Sequence, residues 1–426
     1  MTFDLRIDNG TLVDGSGAPG RTGSIAIEDG RIVAMGDVTG KAKRSLDAGG
    51  KVVAPGFVDI HTHYDAQILW DRMLTISPWH GVTTVVMGNC GFGIAPTRPA
   101  HRELIVRTLE KVEGMTAEAL FAGLGDDWPF ETFPEYLDAI ERRGNAINVA
   151  ALVGHTPVRL YVMGEEATER EATADEIAKM QRIVRQAIAA GGLGFATSKA
   201  ATHVGFEGRP VPSRLAGFEE VDALAATVPA AGRGVMQATI GKGLALPEFE
   251  RLASSHGIRV SWTALLGGGG LLRNSSVTDQ RMIEGGALTD AFAKAVVSYS
   301  RLHPEYQERL LPQLAAEKGK RIADFMLDLV IEEELDTRIR MPVANADESE
   351  VATMLGNDHV VLGLSDAGAH ASQLCDACYS THLLGHWVRE TGVLSLERAV
   401  QMLTSLPATV FGIADRGLLA VDRPAD

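Results

Sequence analysis

The N-terminal segment of the chain carries short alternating or β-rich runs of residues, each followed by residues that favour tight turns. Asn9-Gly10, the stretch Asp14–Gly17 and Asp29-Gly30 supply the positive φ that hairpin turns need. These turns separate predicted strands at residues 4–8, 11–13, 24–27 and 31–34. We therefore predict a small antiparallel sheet, which must pack on another part of the chain because so small a sheet is not stable alone.

From Val52 onward, near-continuous apolar runs alternate with amphipathic stretches of helical periodicity. Thr173 and Glu176 form a capping box at the start of one predicted helix. Apolar strands joined by helices are typical of a parallel sheet covered on both faces, so we predict an α/β fold, a (β/α)8 TIM-like barrel, with an open doubly wound sheet as the alternative. The predicted strands are residues 53–63, 83–87, 147–153, 193–197, 235–239, 259–263 and 359–364, with 338–343 as a candidate eighth. The predicted helices lie at about 98–112, 174–190, 218–227 and 247–255.

The segment at about residues 267–341 breaks this alternation. It opens with Gly267–Gly270, which lacks the Gly-Lys-Ser/Thr ending of a phosphate-binding loop, so we interpret it as a flexible active-site loop. Helices are predicted at about residues 288–299 and 317–334, and they either form a lid over the barrel or decorate it. The predicted organisation is an N-terminal sheet at 1–52, a barrel at 53–411 containing this insertion, and a C-terminal return at 412–426.

Polar side chains follow nearly every predicted barrel strand. Side chains alternate along a strand, so His61 and His63 fall on one face and could bind one metal ion together. Asp59 and Asp65 flank them, in positions from which carboxylates often orient ligating imidazoles. Because the active sites of such barrels lie at the carboxyl ends of the strands, we expect the groups that end the later strands to converge with them: Cys90, His155, Thr197-Ser198-Lys199 and Asp366.

The composition of the chain argues against two classes of binding partner. The chain has 426 residues, 45% of them hydrophobic, and a formal net charge of −15 without any Lys/Arg-rich stripe, so nucleic acid and anionic membrane are excluded as predicted partners. The N-terminus lacks the basic segment and apolar core of a signal peptide, and we expect a cytoplasmic protein. Cys90, Cys375 and Cys378 are too few for a disulfide framework, and we interpret the C-x-x-C pair as structural. The oligomeric state is not predicted.

Several spaced motifs resemble one known family. The stretch Ala54-Pro-Gly-Phe-Val-Asp-Ile-His61-Thr-His63-Tyr-Asp-Ala resembles the first-strand signature of the amidohydrolase superfamily. The stretch Gly81-Val-Thr-Thr-Val-Val-Met-Gly-Asn-Cys-Gly91, together with Gly154-His155, narrows the likeness to the D-aminoacylase group of N-acyl-D-amino-acid deacylases, and Leu364-Ser-Asp366 fits the family's last barrel strand. The likeness runs from about residue 3 to residue 420.

The resemblance implies a metal-bearing barrel flanked by a small β-sandwich that both chain ends build. In the family, a Pro-Gly turn and a further strand would follow Ala420, whereas this chain ends at Asp426. We therefore expect either an incomplete sandwich or a truncated chain.

The resemblance also implies site residues. His61, His63, Cys90 and Asp366 match the family's metal and catalytic positions. The family's two further zinc histidines belong on strands five and six, where this chain reads Val235-Met-Gln-Ala-Thr239-Ile and Val260-Ser-Trp-Thr-Ala264-Leu. Either one metal is held by His61, His63, Asp366 and Cys90, or His155 or His203 supplies a replacement ligand, or metal binding and activity are lost. We rank these in that order and expect one Zn²⁺ ion rather than two, with another divalent metal as the alternative.

Amide hydrolysis needs a nucleophile, a polarised carbonyl and a proton for the leaving amine. A Zn²⁺ ion lowers the pKa of its bound water to about 7 and polarises the carbonyl, while a neighbouring carboxylate can move the proton. We predict that Asp366 does so, the alternative being a helix N-cap. Cys90 is predicted to be a metal ligand, the alternative being a small buried hydrophobe. His155 could bind substrate, ligate metal or cap its strand, and His203 is a reserve ligand.

A substrate with a free carboxylate would need a cation, and Arg159 and Lys199 are the basic groups nearest the strand ends. The sequence does not decide between them. His382 and His386 have helical i, i+4 spacing but lie among Leu383, Leu384 and Trp387, so we interpret them as packing residues.

We therefore predict a metal-dependent hydrolase of a linear amide, acting on a small molecule, with an N-acyl-D-amino acid as the substrate class that the resemblance implies. The alternatives are a hydrolase of another C–N bond, such as a cyclic amide or imide, and a non-catalytic binding protein on a barrel that has lost part of its metal site.

Overall fold

The protein is described from a computed structural model, which covers residues 2–125, 127–229, 234–263, 293–342, 345, 347–370 and 376–426. The chain divides into two compact units, Met1–Ala264 with Val361–Asp426, and Leu265–Val360. In the part of the chain that the structure describes, no helix is both long and apolar enough to cross a bilayer. The predicted glycine-rich loop at 267–270 lies outside the described residues.

The N-terminal strands form a mixed five-stranded sheet. Its strands are β1 (Thr2–Leu12), β2 (Arg21–Glu28), β3 (Arg31–Gly36), β4 (Lys41–Asp47) and β5 (Val52–Val53). The predicted hairpins β1–β2 and β2–β3 are antiparallel, but β4 and β5 pair with β1 in parallel, so the prediction of a purely antiparallel sheet is wrong. Strand β4 was not predicted because it is an edge strand with six of its seven residues exposed. Its sequence therefore lacks the alternation of apolar and polar residues that indicates a half-buried strand.

The C-terminal segment returns to this sheet. Arg31 and Pro424 form an antiparallel bridge, and Ile32 accepts from Asp422 N at 2.8 Å and donates to the Arg423 carbonyl at 2.9 Å. Leu419 packs on a small apolar cluster that includes Ile32. The last residues of the chain therefore hydrogen-bond and pack against the first sheet.

Six parallel strands form the second sheet, each beside its neighbour in the chain. They are β6 (Phe57–Asp59), β7 (Val82–Met87), β8 (Asn148–Gly154), β9 (Gly194–Ser198), β10 (Val235–Thr239) and β11 (Val260–Thr263). All six were predicted, because strands buried on both faces read as continuous apolar runs. The α/β class of the fold is confirmed.

Helices connect these strands and cover the sheet. In this unit they are α1 (Arg102–Glu113), α2 (Ala117–Leu124), α3 (Phe133–Arg143), α4 (His155–Met163), α5 (Ala174–Ala189), α6 (Phe218–Ala225) and α7 (Leu246–His256). The predicted capping box is present, with Thr173 N donating to Glu176 Oε2 at 2.8 Å. Val85 and Met87 of β7 pack with the helices in the largest core cluster, whereas Val86 packs in a second cluster with Phe411 near the C-terminus. Alternate side chains of the strand are therefore buried in different clusters.

The segment that follows the second unit does not form its predicted strand. Residues 359–364 have no regular strand pairing, because Leu364 and Asp366 adopt φ of 88° and 50°, which ends an extended run. Thr62 and Ala367 nevertheless form a parallel bridge, and His63 N donates to the Ala367 carbonyl at 2.8 Å. The segment thus lies beside the carboxyl end of β6.

The C-terminal part of the first unit, from Tyr379 to Phe411, is helical. It comprises α11 (Tyr379–His382), a π-helical stretch (Leu383–Glu390), α12 (Leu396–Leu403) and α13 (Ser405–Phe411). Leu383 and Trp387 are buried, and the His382 and His386 rings stack on each other with centroids 5.2 Å apart. The apolar residues of this stretch therefore pack in the interior, whereas His382 is exposed and His386 is half-buried.

The second unit has its own sheet, formed by β12 (Val296–Tyr299), β13 (Arg309–Leu310) and β14 (Arg338–Arg340), with helices α8 (Leu311–Glu317), α9 (Ile322–Glu332) and α10 (Glu348–Leu355). The predicted eighth barrel strand is wrong, since β14 pairs antiparallel with β12. The predicted helix at 288–299 is wrong over its described end, where Val296 and Val297 favour a strand. The predicted helix at 317–334 is interrupted after α8, because Gly319 has φ of +64°.

Candidate metal centre

His61 and His63 follow β6 and lie buried at the carboxyl edge of the parallel sheet. Thr62, between them, is fixed to the neighbouring strand, because its N–H and its hydroxyl both donate to the Val86 carbonyl, at 3.0 and 2.9 Å. The two imidazole rings meet edge to face with centroids 5.2 Å apart. The alternation predicted from the sequence therefore brings two ring nitrogens within reach of one ion.

Cys90 joins them from the turn after β7. Gly88 has φ of +83° and Cys90 has φ of +55°, so the chain reverses sharply there. Asn89 Nδ2 donates to the Val86 carbonyl at 2.9 Å, and Cys90 N donates to Gln237 Oε1 at 2.7 Å. These bonds hold Cys90 Sγ 3.4 Å from His61 Nε2.

Asp366 completes the group. Its Oδ1 lies 3.5 Å from His61 Nε2 and 3.4 Å from His63 Nε2, and its side chain stays 22% exposed while the two imidazoles are buried. Burial tends to raise the pKa of Asp366, but its hydrogen bond with His63 and the nearby imidazoles outweigh burial and hold that pKa well below its ordinary value. The carboxylate is therefore ionised at neutral pH and open to a small molecule from one side.

Glu113, which the sequence did not single out, lies behind His63. It ends α1, is 2% exposed, and places Oε1 at 3.2 Å from His63 Nδ1. Burial raises the pKa of Glu113 to about 7, while the charge of His63 opposes that rise. Burial alone would lower the pKa of His63, but Glu113 and Asp366 outweigh burial and raise it well above its ordinary value. An acidic residue at the C-terminal end of a helix was the available signal, since that end favours cations.

Asp59 and Asp65 contact the backbone, not the imidazole rings. Asp59 Oδ1 accepts from His61 N at 3.2 Å, and Asp65 Oδ2 accepts from Gly88 N at 3.1 Å. Burial raises the pKa of Asp59 to about 7 and that of Asp65 to about 6. The two carboxylates therefore shape the loops around the site, and the carboxylate that faces Nδ1 of His63 belongs to Glu113 instead.

The donor set fits a divalent transition metal. One ligand atom each from His61, His63 and Cys90 lies within 4.8 Å of the others, and all three residues are buried. Imidazole nitrogen, thiolate and carboxylate oxygen are the ligands that Zn²⁺ takes in proteins. Burial raises the pKa of the Cys90 thiol, so a bound cation would have to displace its proton.

Strands β10 and β11, the fifth and sixth strands of the parallel sheet, carry neutral polar side chains at the site. Gln237 is fully buried on β10, and besides accepting from Cys90 N it donates from Nε2 to Thr263 Oγ1 on β11 at 3.2 Å. Thr239 Oγ1 lies 3.5 Å from the same hydroxyl. The oxygen and the nitrogen of the Gln237 amide are thus both hydrogen-bonded within the protein. Neither β10 nor β11 contains a histidine.

His155 and His203 are not in the metal-capable cluster that the described residues form. Both ring nitrogens of His155 have partners, Thr197 Oγ1 and Glu220 Oε1, each at 2.8 Å. His203 Nδ1 contacts Ser198 Oγ at 2.7 Å, and its ring packs 5.1 Å from that of Phe92. Burial lowers the pKa of His203 to about 4, so its ring is neutral near pH 7.

Arg159 and Lys199 are engaged inside the protein. Arg159 is fully buried, and its guanidinium pairs with Glu220 and donates to the Arg170 carbonyl at 2.8 Å. Lys199 Nζ donates to the carbonyls of Arg214, at 2.9 Å, and Ala216. Burial lowers the pKa of Lys199 to about 8. Either residue would have to break these internal contacts before it could bind a substrate carboxylate.

Sequence comparison places the chain among known proteins. A model of the amidohydrolase family matches residues 44–297 and 295–426. A D-aminoacylase from Alcaligenes xylosoxydans xylosoxydans is 30% identical over 456 residues, which span 100% of this chain and 87% of that protein. An N-acyl-D-glutamate deacylase from the same organism is 33% identical over 465 residues, spanning 100% of this chain and 86% of the relative.

Solved structures resemble the chain over its whole length. A D-aminoacylase whose binuclear metal centre was studied has a TM-score of 0.68 and 28% identity, covering 100% of this chain and 89% of that one. An N-acyl-D-glutamate deacylase from Bordetella bronchiseptica, in complex with zinc and a phosphonate that mimics the tetrahedral intermediate, has a TM-score of 0.68 and 26% identity, with the same coverage.

Proposed function

Because the chain belongs to the amidohydrolase family, we propose that it is a metal-dependent hydrolase that converts an N-acyl-D-amino acid and water into a D-amino acid and a carboxylate. The observation that carries the proposal is the convergence of His61, His63 and Cys90 beside the ionised Asp366. The substrate class rests on the relatives, which are named D-aminoacylase and N-acyl-D-glutamate deacylase.

The metal we propose is one Zn²⁺ ion held by His61, His63, Cys90 and Asp366. A bound zinc ion would polarise the amide carbonyl and lower the pKa of a coordinated water to about 7. A single ion is supported by the neutral Gln237 and Thr263 on β10 and β11, because a second ion would need further imidazole or carboxylate ligands there.

Asp366 is the proton carrier in this proposal. Its carboxylate takes a proton from the water whose oxygen bonds to the amide carbon, and then donates that proton to the amide nitrogen. The C–N bond breaks, and a carboxylic acid and a neutral amine leave. The backbone bond from His63 N to the Ala367 carbonyl holds the loop of Asp366 against the two histidines, which orients the carboxylate without using its oxygens. The partial exposure of Asp366 leaves a side open for substrate.

The fold that we propose around this site is a (β/α)8 barrel at 53–411 whose sheet is completed through the segment that lies beside β6. Support comes from the parallel bridge of Thr62 and Ala367. The chain ends, 1–52 and 412–426, would form parts of one flanking β-sandwich, which is supported by the bonds of Ile32 to Asp422 and Arg423.

The proposal is tested by elemental analysis and by hydrolysis of N-acetyl-D-amino acids, followed as amine release. We expect close to one equivalent of zinc, and a rate about 10²–10⁴-fold lower in Asp366→Asn, the contribution typical of a positioned acid–base group. Asp415→Asn, which removes a 61% exposed carboxylate paired with Arg416, is the matched control and should keep the wild-type rate.

Two results would overturn the proposal in different ways. Zinc below about a tenth of an equivalent, without hydrolysis after metal is added back, would remove the metal-dependent activity. Full activity in Asp366→Asn would leave a metal hydrolase but refute the proton-carrier role.

A further inference from the structure

Glu113 occupies a place where a carboxylate is costly. It is buried to 2% exposure, and it lies in the last turn of α1, where the helix dipole presents negative partial charge. A buried carboxylate needs compensating positive charge or hydrogen bonds. Among the described residues, its ion-pair partners are His63, at 3.2 Å, and His370, at 4.0 Å. The charge of Glu113 is therefore directed toward the candidate metal centre.

The contact with His63 selects one ring nitrogen. Nδ1 faces Glu113 Oε1, whereas Nε2 faces Asp366 and the cluster. No hydrogen bond of standard geometry reaches this buried Nδ1 within the described ranges, so Glu113 is the polar group available to it. A proton on Nδ1, directed to Glu113, leaves the Nε2 lone pair free to bind a cation.

Glu113 also fixes the loop of Asp366 through its backbone. The Glu113 carbonyl accepts from His370 N at 2.6 Å, and the Asp366 carbonyl accepts from Ala369 N at 2.9 Å. One residue at the end of α1 therefore contacts both the imidazole that follows β6 and the loop that carries Asp366, which are distant in the chain.

We propose that Glu113 is a positioning residue of the metal site: its carboxylate holds His63 in the Nδ1–H tautomer with Nε2 toward the ion, and strengthens that nitrogen as a ligand. The inference rests on the proposed metal site and deepens it. Asp59 and Asp65, the acidic residues nearer in sequence, form no ion pair with either imidazole among the described residues; they accept hydrogen bonds from His61 N and Gly88 N instead.

The test compares zinc affinity and metal-free stability in Glu113→Gln, with Glu113→Asp as the conservative variant. Glu103→Gln is the matched control, since Glu103 lies on the same helix with its side chain 75% exposed. Affinity is measured on metal-free protein by competition with a chromophoric zinc chelator, and stability as the Tm of the same metal-free samples.

We expect Glu113→Gln to bind zinc about 10–100-fold more weakly, the usual effect of losing the partner of a ligating histidine, with partial recovery in Glu113→Asp. The metal-free Tm of Glu113→Gln should stay close to that of wild type, because the amide oxygen can still accept a hydrogen bond from His63 Nδ1 and Asp366 still faces Nε2. Glu103→Gln should change neither quantity.

Unchanged zinc affinity in Glu113→Gln would overturn the inference, and so would a fall in affinity that is matched by a fall in metal-free Tm, which would indicate a folding role. If the affinity falls as expected but wild type does not hydrolyse N-acetyl-D-amino acids, the positioning role stands and the proposed function fails. If wild type binds no zinc, both fail.

Discussion

At the scale of single residues, the buried charges beside the candidate metal centre are held as a connected set. Arg159 and His155 contact the two oxygens of Glu220, and all three residues are 2% exposed or less. Burial would raise the pKa of Glu220, but His155 and Arg159 outweigh burial and lower it. Removing one member would leave another buried without its ionic partner.

Arg159→Met should lower the free energy of unfolding by about 3–5 kcal/mol, because it leaves Glu220 buried without its guanidinium partner. Urea unfolding at pH 7 measures the change. The double variant Arg159→Met/Glu220→Gln should recover part of the loss, since no uncompensated charge then remains.

A control for this prediction is the partly exposed ion pair of Arg107 and Glu110. Their side chains are 33% and 24% exposed, and Arg107 Nη1 lies 3.3 Å from Glu110 Oε2. Arg107→Met should cost less than about 1 kcal/mol, as partly exposed ion pairs contribute little. Similar losses in the two single variants would show that Arg159 is not acting through a buried charge.

At the scale of elements, the turn after β7 places Cys90, and Gly88 makes the turn possible. Gly88 has φ of +83°, and a Cβ atom there would collide with the Leu152 carbonyl of β8. A side chain at this position would therefore strain the backbone and separate two neighbouring strands at the edge where the ligands lie.

Gly88→Ala should lower the free energy of unfolding by at least about 2 kcal/mol, from left-handed strain together with the collision. It should also reduce the zinc bound after dialysis against buffered metal, because Cys90 is displaced. Urea unfolding and elemental analysis measure the two effects. Gly385→Ala is the control, since a Cβ there meets nothing within 4 Å. Normal zinc content in Gly88→Ala would contradict this account.

The elements also show what the sequence could and could not reveal. Strands β6 to β11 were predicted, because burial on both faces imposes continuous apolar runs. The run at 359–364 is equally apolar, but positive φ at Leu364 prevents a strand, and local composition does not encode that conformation. Residues 338–340 expose Arg338 and Arg340 and half-bury Ile339, the alternation of a strand with one solvent face, so they belong in an antiparallel sheet.

Some contacts of the site could likewise be predicted from the sequence and others could not. The approach of His61, His63 and Cys90 could be predicted because parallel strands bring their carboxyl ends to one edge, and Asp366 joins them through the Thr62–Ala367 bridge although its segment forms no strand. The acidic residue at the end of α1 was a signal, but its partner His63 could not be inferred from it, because the two meet only through the packing of α1 in the core. The internal bonds of Arg159 and Lys199 were hidden for a similar reason, since their partners are backbone carbonyls and a glutamate from later segments.

At the scale of the whole molecule, the proposed metal would tie together parts of the first unit that are remote in sequence. His61 and Cys90 precede the second unit, whereas Asp366 follows it. A ligand that binds only the folded state stabilises it by an amount that grows with the logarithm of ligand concentration. Metal binding and the stability of this unit are therefore linked.

Removing metal with a chelator should lower the Tm of the protein, and zinc at about 100 times its Kd should restore about 2.7 kcal/mol, a rise of about 2–4 °C for a domain of this order of size. Differential scanning calorimetry measures the shift. If the two units unfold in separate transitions, only that of the first unit should move.

The control is His61→Ala/His63→Ala, which should show no zinc-dependent shift. A wild-type protein that holds a full equivalent of zinc and yet has the same Tm in chelator would contradict the link between binding and folding.

Cys90, Asp366 and His370 share the left-handed backbone conformation, with φ of 55°, 50° and 49°. For residues other than glycine this conformation costs about 1–2 kcal/mol each. Glycine at these positions would relieve the strain, yet it would remove the thiol, the carboxylate or the imidazole. Selection for heat resistance alone would therefore favour glycine at these three positions. A lineage that keeps the thiol, the carboxylate and the imidazole would have to gain thermal stability from substitutions elsewhere in the chain.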